Sequence, residues 1–166
     1  MIMIPGGFER YLRRVDAALF AAVAATAISA ATVGPSAHAE DKPYKIEKDG
    51  TVDWSTFSGY RRYHSECHVC HGPDALGSSF APALANSLKT MTYDQFIDVV
   101  VNGRKNVSAS SDKVMPSFGT NRNVMCFIND IYAYLKARAD GVLPRGRPKH
   151  EPKPKAAQEA EDACMG

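Results

Sequence analysis

The sequence lacks a strong charge of either sign. Its 166 residues include 20 Lys and Arg and 18 Asp and Glu, which gives a formal net charge of +2. Residues 1–39 hold three of the basic and two of the acidic residues, so residues 40–166 hold 17 and 16 and have a net charge of +1. A protein that binds nucleic acid needs a clustered excess of Lys and Arg. The near balance therefore gives no support for that class of function.

The sequence also lacks the residues for several kinds of metal or thiol site. It has four cysteines, and Cys67 and Cys70 form its C-x-x-C pair. No second C-x-x-C and no H-x-x-x-H follows this pair, so a four-ligand zinc site lacks its other half. No βαβ pattern surrounds the pair, which argues against a thioredoxin-like redox dithiol.

The residue after this pair indicates a different chemistry. Residues 67–71 read C-H-V-C-H, which matches C-x-x-C-H, the attachment signal of a c-type haem. Two thiols at this spacing can form thioethers with the two vinyl groups of one porphyrin. His71 is then held beneath the iron as its proximal ligand. The sequence thus predicts one covalent haem c, bound through Cys67 and Cys70, with His71 on the iron.

The first 39 residues have the features of a secretory signal peptide. Three arginines precede an apolar run at residues 17–33, and Ala37-His38-Ala39 is an A-x-A cleavage site. The run is short and rich in Ala for a membrane span, so removal is favoured over a retained membrane anchor. We therefore expect a signal peptide at 1–39, a haem domain at 40–142, a Pro- and Lys-rich tail at 143–166, and a periplasmic location.

Helical patterns within residues 40–142 predict an all-α fold. Asp53 can cap a helix at residues 54–66, in which Gly59 is unfavourable and suggests the close approach of another backbone. Thr92 and Gln95 form a capping box for a second helix, which Gly103 ends.

A third helix is expected at residues 124–139, with Asn121 or Asn123 as its N-cap. The other segments are expected to be irregular. They are an N-terminal arm at 40–52, loops at 72–90 and 105–119, and a tail that is mobile or draped over the surface.

The best candidate for the second axial ligand is Met115. It lies in a loop 44 residues after His71 and precedes Pro116, which restricts the local backbone. A thioether on the far side of the iron would raise the reduction potential. The alternative is that Met115 is only a core residue and that His64 or no side chain fills the position. Less suitable candidates are Met91, Met125, His68 and His150, the last expected to be solvated.

Residues 54–139 resemble the class I c-type cytochromes. Gly59 and Tyr63 match a glycine and an aromatic residue that this family places before the haem cysteines, and Ile131 and Tyr134 match their partners on the last helix. The resemblance implies helices wrapped around one haem. It also implies that the carbonyl oxygen of Pro82, which follows the motif in the chain, accepts a hydrogen bond from His71.

A narrower resemblance is to the cytochrome c-L group, which accepts electrons from PQQ-dependent methanol or alcohol dehydrogenases. It is carried by V-V-N-G-R at residues 100–104, by M-P-S-F-G at 115–119 and by the extended tail. The resemblance implies such a dehydrogenase as electron donor and a further cytochrome or an oxidase as acceptor. Some members bind calcium, but no acidic cluster here identifies such a site.

These features predict an electron-transfer protein and not an enzyme, because two strong axial ligands leave no open position on the iron. A general shuttle between respiratory complexes is the alternative, and a small haem enzyme or gas sensor is a third. The tail has five basic residues between Arg145 and Lys155, so it could dock an acidic dehydrogenase or act as a solvated spacer. Cys126 and Cys164 could form a disulfide in an oxidising compartment or remain two separate thiols.

Overall fold

The computed structural model describes residues 42–108 and 111–166, without the side chains of residues 106–108 and 111–112. The predicted signal peptide and the first two residues of the predicted arm lie outside the described residues. None of the helices in residues 42–108 and 111–166 combines the length and the apolar composition of a membrane span.

Helices dominate the described residues, as the sequence predicts. In chain order the elements are α1 (Trp54–Glu66), α2 (His68–His71), a 3-10 turn (Pro73–Ala75), α3 (Leu84–Ser87), α4 (Tyr93–Asn102), β1 (Arg104–Ser108), β2 (Ser111–Met115), α5 (Arg122–Met125), α6 (Ile128–Ala139) and α7 (Lys155–Met165).

The centre of the fold is the packing of α1 against α6. At Gly59 the two backbones come so close that a Cβ atom would lie 1.8 Å from the carbonyl oxygen of Asp130. Tyr63 and Tyr134 face each other across this contact, with ring centroids 5.4 Å apart. The most deeply buried large side chains of the core are Tyr63, Tyr134, Leu88, Ile131, Leu135, Val52 and Val124. The close approach expected from Gly59 is therefore confirmed.

The helix boundaries agree with the sequence where capping residues mark them. The first helix has the predicted bounds, and the side chains of Thr92 and Gln95 form the predicted capping box at the start of α4. Gly103 ends α4 with φ of 74°, a conformation that favours glycine. The third predicted helix is instead two helices, α5 and α6, which are separated at Cys126 and Phe127, and Asn121 caps α5.

Two predicted loops contain regular structure. The segment at 105–119 was expected to be irregular, but β1 and β2 form an antiparallel hairpin in which Arg104 pairs with Met115. The loop at 72–90 includes the 3-10 turn and α3. In both places short elements form because the chain reverses tightly and its backbone groups form hydrogen bonds with each other. The content of Gly, Pro and Ser predicts a turn but does not show this pairing.

The tail lies against the rest of the chain, which agrees with the alternative of a tail draped over the surface, but Lys155–Met165 form a helix that was not predicted. Val52 pairs with His150 in a parallel bridge between the N-terminal arm and the tail. The helix α7 follows, and Glu161 within it accepts a hydrogen bond from Arg62 of α1 at 2.9 Å. A disulfide joins Cys126 to Cys164. The sequence left open a disulfide or two separate thiols, and the structure has the disulfide.

Candidate haem site

The C-x-x-C-H motif follows directly after α1 along the chain. Cys67 follows the last residue of α1, and its amide donates to the carbonyl oxygen of Tyr63 at 2.9 Å. The amide of His71 donates to the carbonyl oxygen of Cys67 at 3.0 Å, so the motif forms one further helical turn. Cys67 and Cys70 are both unpaired thiols. The helical turn therefore presents two thiols and an imidazole from one short segment.

His71 is held in a defined orientation. Its residue is buried, with 7% of its surface exposed, and its Nδ1 lies 2.9 Å from the carbonyl oxygen of Pro82. Because a carbonyl oxygen can only accept, Nδ1 carries the proton in this hydrogen bond and Nε2 keeps its lone pair. This is the tautomer that an iron-binding histidine requires. The contact with Pro82 that the family resemblance implies is thus present.

The loop after His71 closes tightly. The hydroxyl of Tyr63 donates to the carbonyl oxygen of Gly72 at 2.5 Å, and the amide of Gly77 donates to the carbonyl oxygen of His71 at 2.7 Å. A Cβ atom on Gly72 would lie 2.2 Å from the carbonyl oxygen of Gly77. The backbone on the C-terminal side of His71 is therefore fixed by its own hydrogen bonds.

Met115 ends β2 and is half-buried against the core. A Cβ atom on Gly103 would lie 2.6 Å from the carbonyl oxygen of Met115, so α4 and the strand end approach closely. The amides of Phe118 and Gly119 donate to the carbonyl oxygens of Val100 and Val101, at 2.9 and 3.2 Å. The M-P-S-F-G segment is therefore attached to the end of α4 rather than suspended in a free loop.

The other histidines have different surroundings. The Nδ1 atom of His64 lies 2.8 Å from the carbonyl oxygen of Tyr60, within the same helix. His150 was expected to be solvated, but its ring stacks on Phe57 with centroids 3.5 Å apart, which corrects that expectation. Both rings thus serve the packing around α1.

The structure also bears on the dithiol and zinc alternatives. Burial, together with smaller contributions from Glu66 and Cys70, raises the pKa of the Cys67 thiol to about 12. A redox dithiol works through a thiolate whose pKa is lowered, so this environment opposes that chemistry. Among the described residues, no group of three or more His, Cys, Asp or Glu side chains could hold a metal ion.

The donor set fits a covalent haem. It offers two unpaired thiols three residues apart, an imidazole with a free Nε2, and a thioether at the end of a fixed strand. Sequence reasoning missed Asp74, a buried acid in the loop that follows His71. Its partners are about 70 residues away in the chain, so no local pattern signals it.

Comparison with known proteins identifies the family. The model of the family described as cytochrome c oxidase, cbb3-type, subunit III matches residues 56–135. Cytochrome c-555 of Methylococcus capsulatus (strain ATCC 33009 / NCIMB 11132 / Bath) is 41% identical over 96 residues, which cover 57% of this chain and 72% of that protein. The chain belongs to the c-type cytochromes. Membership of this family implies one covalently bound haem c.

Two further relatives of this cytochrome extend the comparison. Cytochrome c-553I of Paracoccus denitrificans is 57% identical over 129 residues, which cover 76% of this chain. The chain spans 57% of the length of that relative. The crystal structure of the c-type cytochrome XoxG from Methylobacterium extorquens AM1 is similar with a TM-score of 0.61 and 45% identity, over 75% of this chain and 83% of that one. The predicted cytochrome fold is confirmed.

Proposed function

We propose that this cytochrome is a periplasmic one-electron carrier whose haem is bound through Cys67 and Cys70, with His71 and Met115 as axial ligands. The observation that carries the proposal is the buried His71, whose Nδ1 donates to Pro82 beside two unpaired thiols. When bound, the haem supplies an iron centre that accepts and releases one electron. Two filled axial positions leave no place for a substrate, which favours outer-sphere electron transfer over catalysis.

The protein's own residues would set the properties of that centre. Pro82 orients the imidazole of His71 and raises its basicity as a ligand. The attachment of residues 115–119 to α4 would hold Met115 in place through both oxidation states, so little rearrangement accompanies the transfer. A thioether ligand favours the ferrous state and raises the reduction potential.

The electron donor that we propose is a PQQ-dependent methanol or alcohol dehydrogenase, with another cytochrome or an oxidase as acceptor. Support comes from the V-V-N-G-R and M-P-S-F-G segments, which resemble the cytochrome c-L group. Oxidation of one alcohol to an aldehyde releases two electrons and two protons. Two molecules of this cytochrome would therefore be reduced for each alcohol, and the protons would pass to the solvent.

The charges of the tail give little support to the docking hypothesis, because the chain uses them itself. Arg145 pairs with Asp74, Lys149 with Asp49, and Lys153 with Glu161. Arg147 lies 5.1 Å from the ring centroid of Phe57, and Lys155 pairs with Glu159 at 3.5 Å. The five basic residues of the tail thus all have partners within the chain.

The hairpin offers a different basic surface, formed by Arg104 and Lys113, because the pairing of Arg104 with Met115 and of Asn106 with Lys113 places both side chains on one face. Both side chains are exposed, and neither forms a salt bridge with another residue in the described part of the chain. They lie on the two strands that lead to Met115, close along the chain to the proposed ligand. We propose that this surface, and not the tail, meets an acidic partner.

The donor is tested by reducing the purified ferric cytochrome with a quinoprotein alcohol dehydrogenase and its alcohol, followed in the visible haem bands. We expect fast, saturable and salt-sensitive reduction, with two cytochromes reduced per alcohol. Slow reduction without saturation by every such dehydrogenase would contradict the dedicated donor and favour a general respiratory shuttle.

A further inference from the structure

Asp74 is a buried acid in an unusual backbone conformation, three residues after His71. The backbone φ angle of Asp74 is 58°, and that of the following Ala75 is 61°. Only 6% of the surface of Asp74 is exposed. Residues other than glycine rarely adopt positive φ. Such a conformation persists only where the surrounding contacts hold it, and it is common at functional sites.

The contacts of Asp74 join three distant parts of the chain. Its carboxylate accepts hydrogen bonds from the amide of Gly146 at 2.8 Å and from Nε of Arg145 at 3.1 Å. Its backbone carbonyl oxygen accepts from Nε of Arg138 in α6 at 3.1 Å. Arg138 also donates through Nη1 to the carbonyl oxygen of Leu143 at 2.5 Å. The loop, the last haem-domain helix and the start of the tail therefore meet at Asp74.

The same loop is closed onto His71. The amide of Gly77 donates to the carbonyl oxygen of His71, and the Tyr63 hydroxyl donates to the carbonyl oxygen of Gly72. Asp74 lies between these two attachment points, on the turn that Leu76 closes by donating to the carbonyl oxygen of Pro73 at 3.4 Å. A displacement of Asp74 would thus be passed to the backbone that carries His71.

We propose that Asp74 is a positioning residue for the proximal ligand, and that its contacts with Arg145 and Gly146 couple the start of the tail to the reduction potential of the haem. The inference rests on the proposed ligand role of His71. A firm loop keeps the hydrogen bond from Nδ1 to Pro82 short, which makes the imidazole more basic and stabilises ferric iron. Loosening the loop weakens that bond and raises the potential.

The variants D74N, D74G and R145Q of the full-length holoprotein test this coupling. D74G removes the carboxylate, and glycine adopts a positive φ without strain. This variant therefore separates the effect of the lost side-chain contacts from the effect of backbone strain. K149Q is the matched control, since it breaks the pair between Lys149 and Asp49, which also ties the tail to a distant acid. The readouts are the midpoint potential and hydrogen exchange of the Gly77 amide.

We expect all three test variants to raise the midpoint potential and to speed exchange at Gly77 by about tenfold, while K149Q changes neither. The direction in which each variant shifts the midpoint potential distinguishes positioning of His71 from a purely electrostatic effect of the removed charge. Loss of the negative charge of Asp74 would raise the potential through the field alone, but loss of the positive charge of Arg145 would lower it. Positioning requires both variants to raise it.

Two results would overturn the proposal. One is a potential that rises in D74N but falls in R145Q, which would show a charge effect only. The other is unchanged Gly77 exchange in both D74N and D74G. Failure of the proposed ligand role is detected separately, because the wild-type and H71A holoproteins would then share one visible spectrum.

Discussion

The backbone carbonyl oxygen of Asp130 occupies the space that a side chain on Gly59 would need. A Cβ atom there would lie 1.8 Å from this oxygen and 2.4 Å from its carbon. Both atoms belong to the backbone of α6, so neither can move aside by changing a rotamer. The contact fixes how closely α1, which leads into the haem motif, packs against the last helix of the haem domain.

G59A should therefore push the two helices apart. We expect the free energy of unfolding to fall by about 3 kcal/mol or more, because overpacking against backbone cannot be relieved locally. Chemical denaturation of the holoprotein measures this. S65A, an exposed position on the same helix, is the control and should change stability by less than about 0.5 kcal/mol. Similar values for the two variants would contradict the close packing.

The disulfide between Cys126 and Cys164 should stabilise the fold through the tail. Its sequence separation of 38 residues corresponds to about 4 kcal/mol in the chain-entropy model. A reductant should destabilise the wild-type holoprotein by up to that amount and leave C164S unaffected, since thioethers to haem are not reduced. Thiol titration of the denatured, unreduced protein gives the decisive check. Two reactive thiols in the wild type would rule out the bridge.

The stabilising contribution of Asp74 should disappear in acid. Burial by itself raises the pKa of its carboxyl, but hydrogen bonds from Gly146 and Arg145 outweigh burial and hold the pKa below the ordinary value of 3.8. A lowered pKa in the folded state means that stability is present above the unfolded value and is lost as the pH falls through the folded value. Wild type should therefore exceed D74N in stability at pH 7 and converge with it well below pH 3.8. A stability difference between wild type and D74N that stays constant or grows in acid would contradict the lowered pKa of Asp74.

The basic surface on the hairpin should control the encounter with the donor. We expect R104Q/K113Q to raise the apparent KM for reduction by a quinoprotein alcohol dehydrogenase on the order of tenfold at low ionic strength, and the effect to vanish at high salt. K149Q/K153Q removes the same charge from the tail and should change KM little. The reverse pattern would return the docking surface to the tail.

The parts of the fold that were predictable from sequence have local causes. The capping box of Thr92 and Gln95 and the glycine that ends α4 act within a few residues of themselves, so their pattern is visible in the chain. The C-x-x-C-H motif is visible for the same reason, because both thiols and the imidazole come from one helical turn.

The parts that were missed depend on distant contacts or on a misplaced boundary. The tail was judged by its prolines, but all of them precede Lys155, and the residues that follow are mainly Ala, Glu, Gln and other helix formers. The hairpin has few apolar residues at alternate positions and forms by pairing across a short reversal. Asp74 joins groups 71 and 72 residues away, which no local pattern shows.

Binding of carbon monoxide to the ferrous protein tests the central claim most directly, because it reports whether both axial positions of the iron are filled. We expect the native cytochrome to bind carbon monoxide poorly at neutral pH, and M115A to bind it readily with a matching change in the visible bands. M91A, a second half-buried methionine, should behave as the native protein does. Ready binding by the native protein would contradict the six-coordinate carrier and favour a haem enzyme or gas sensor.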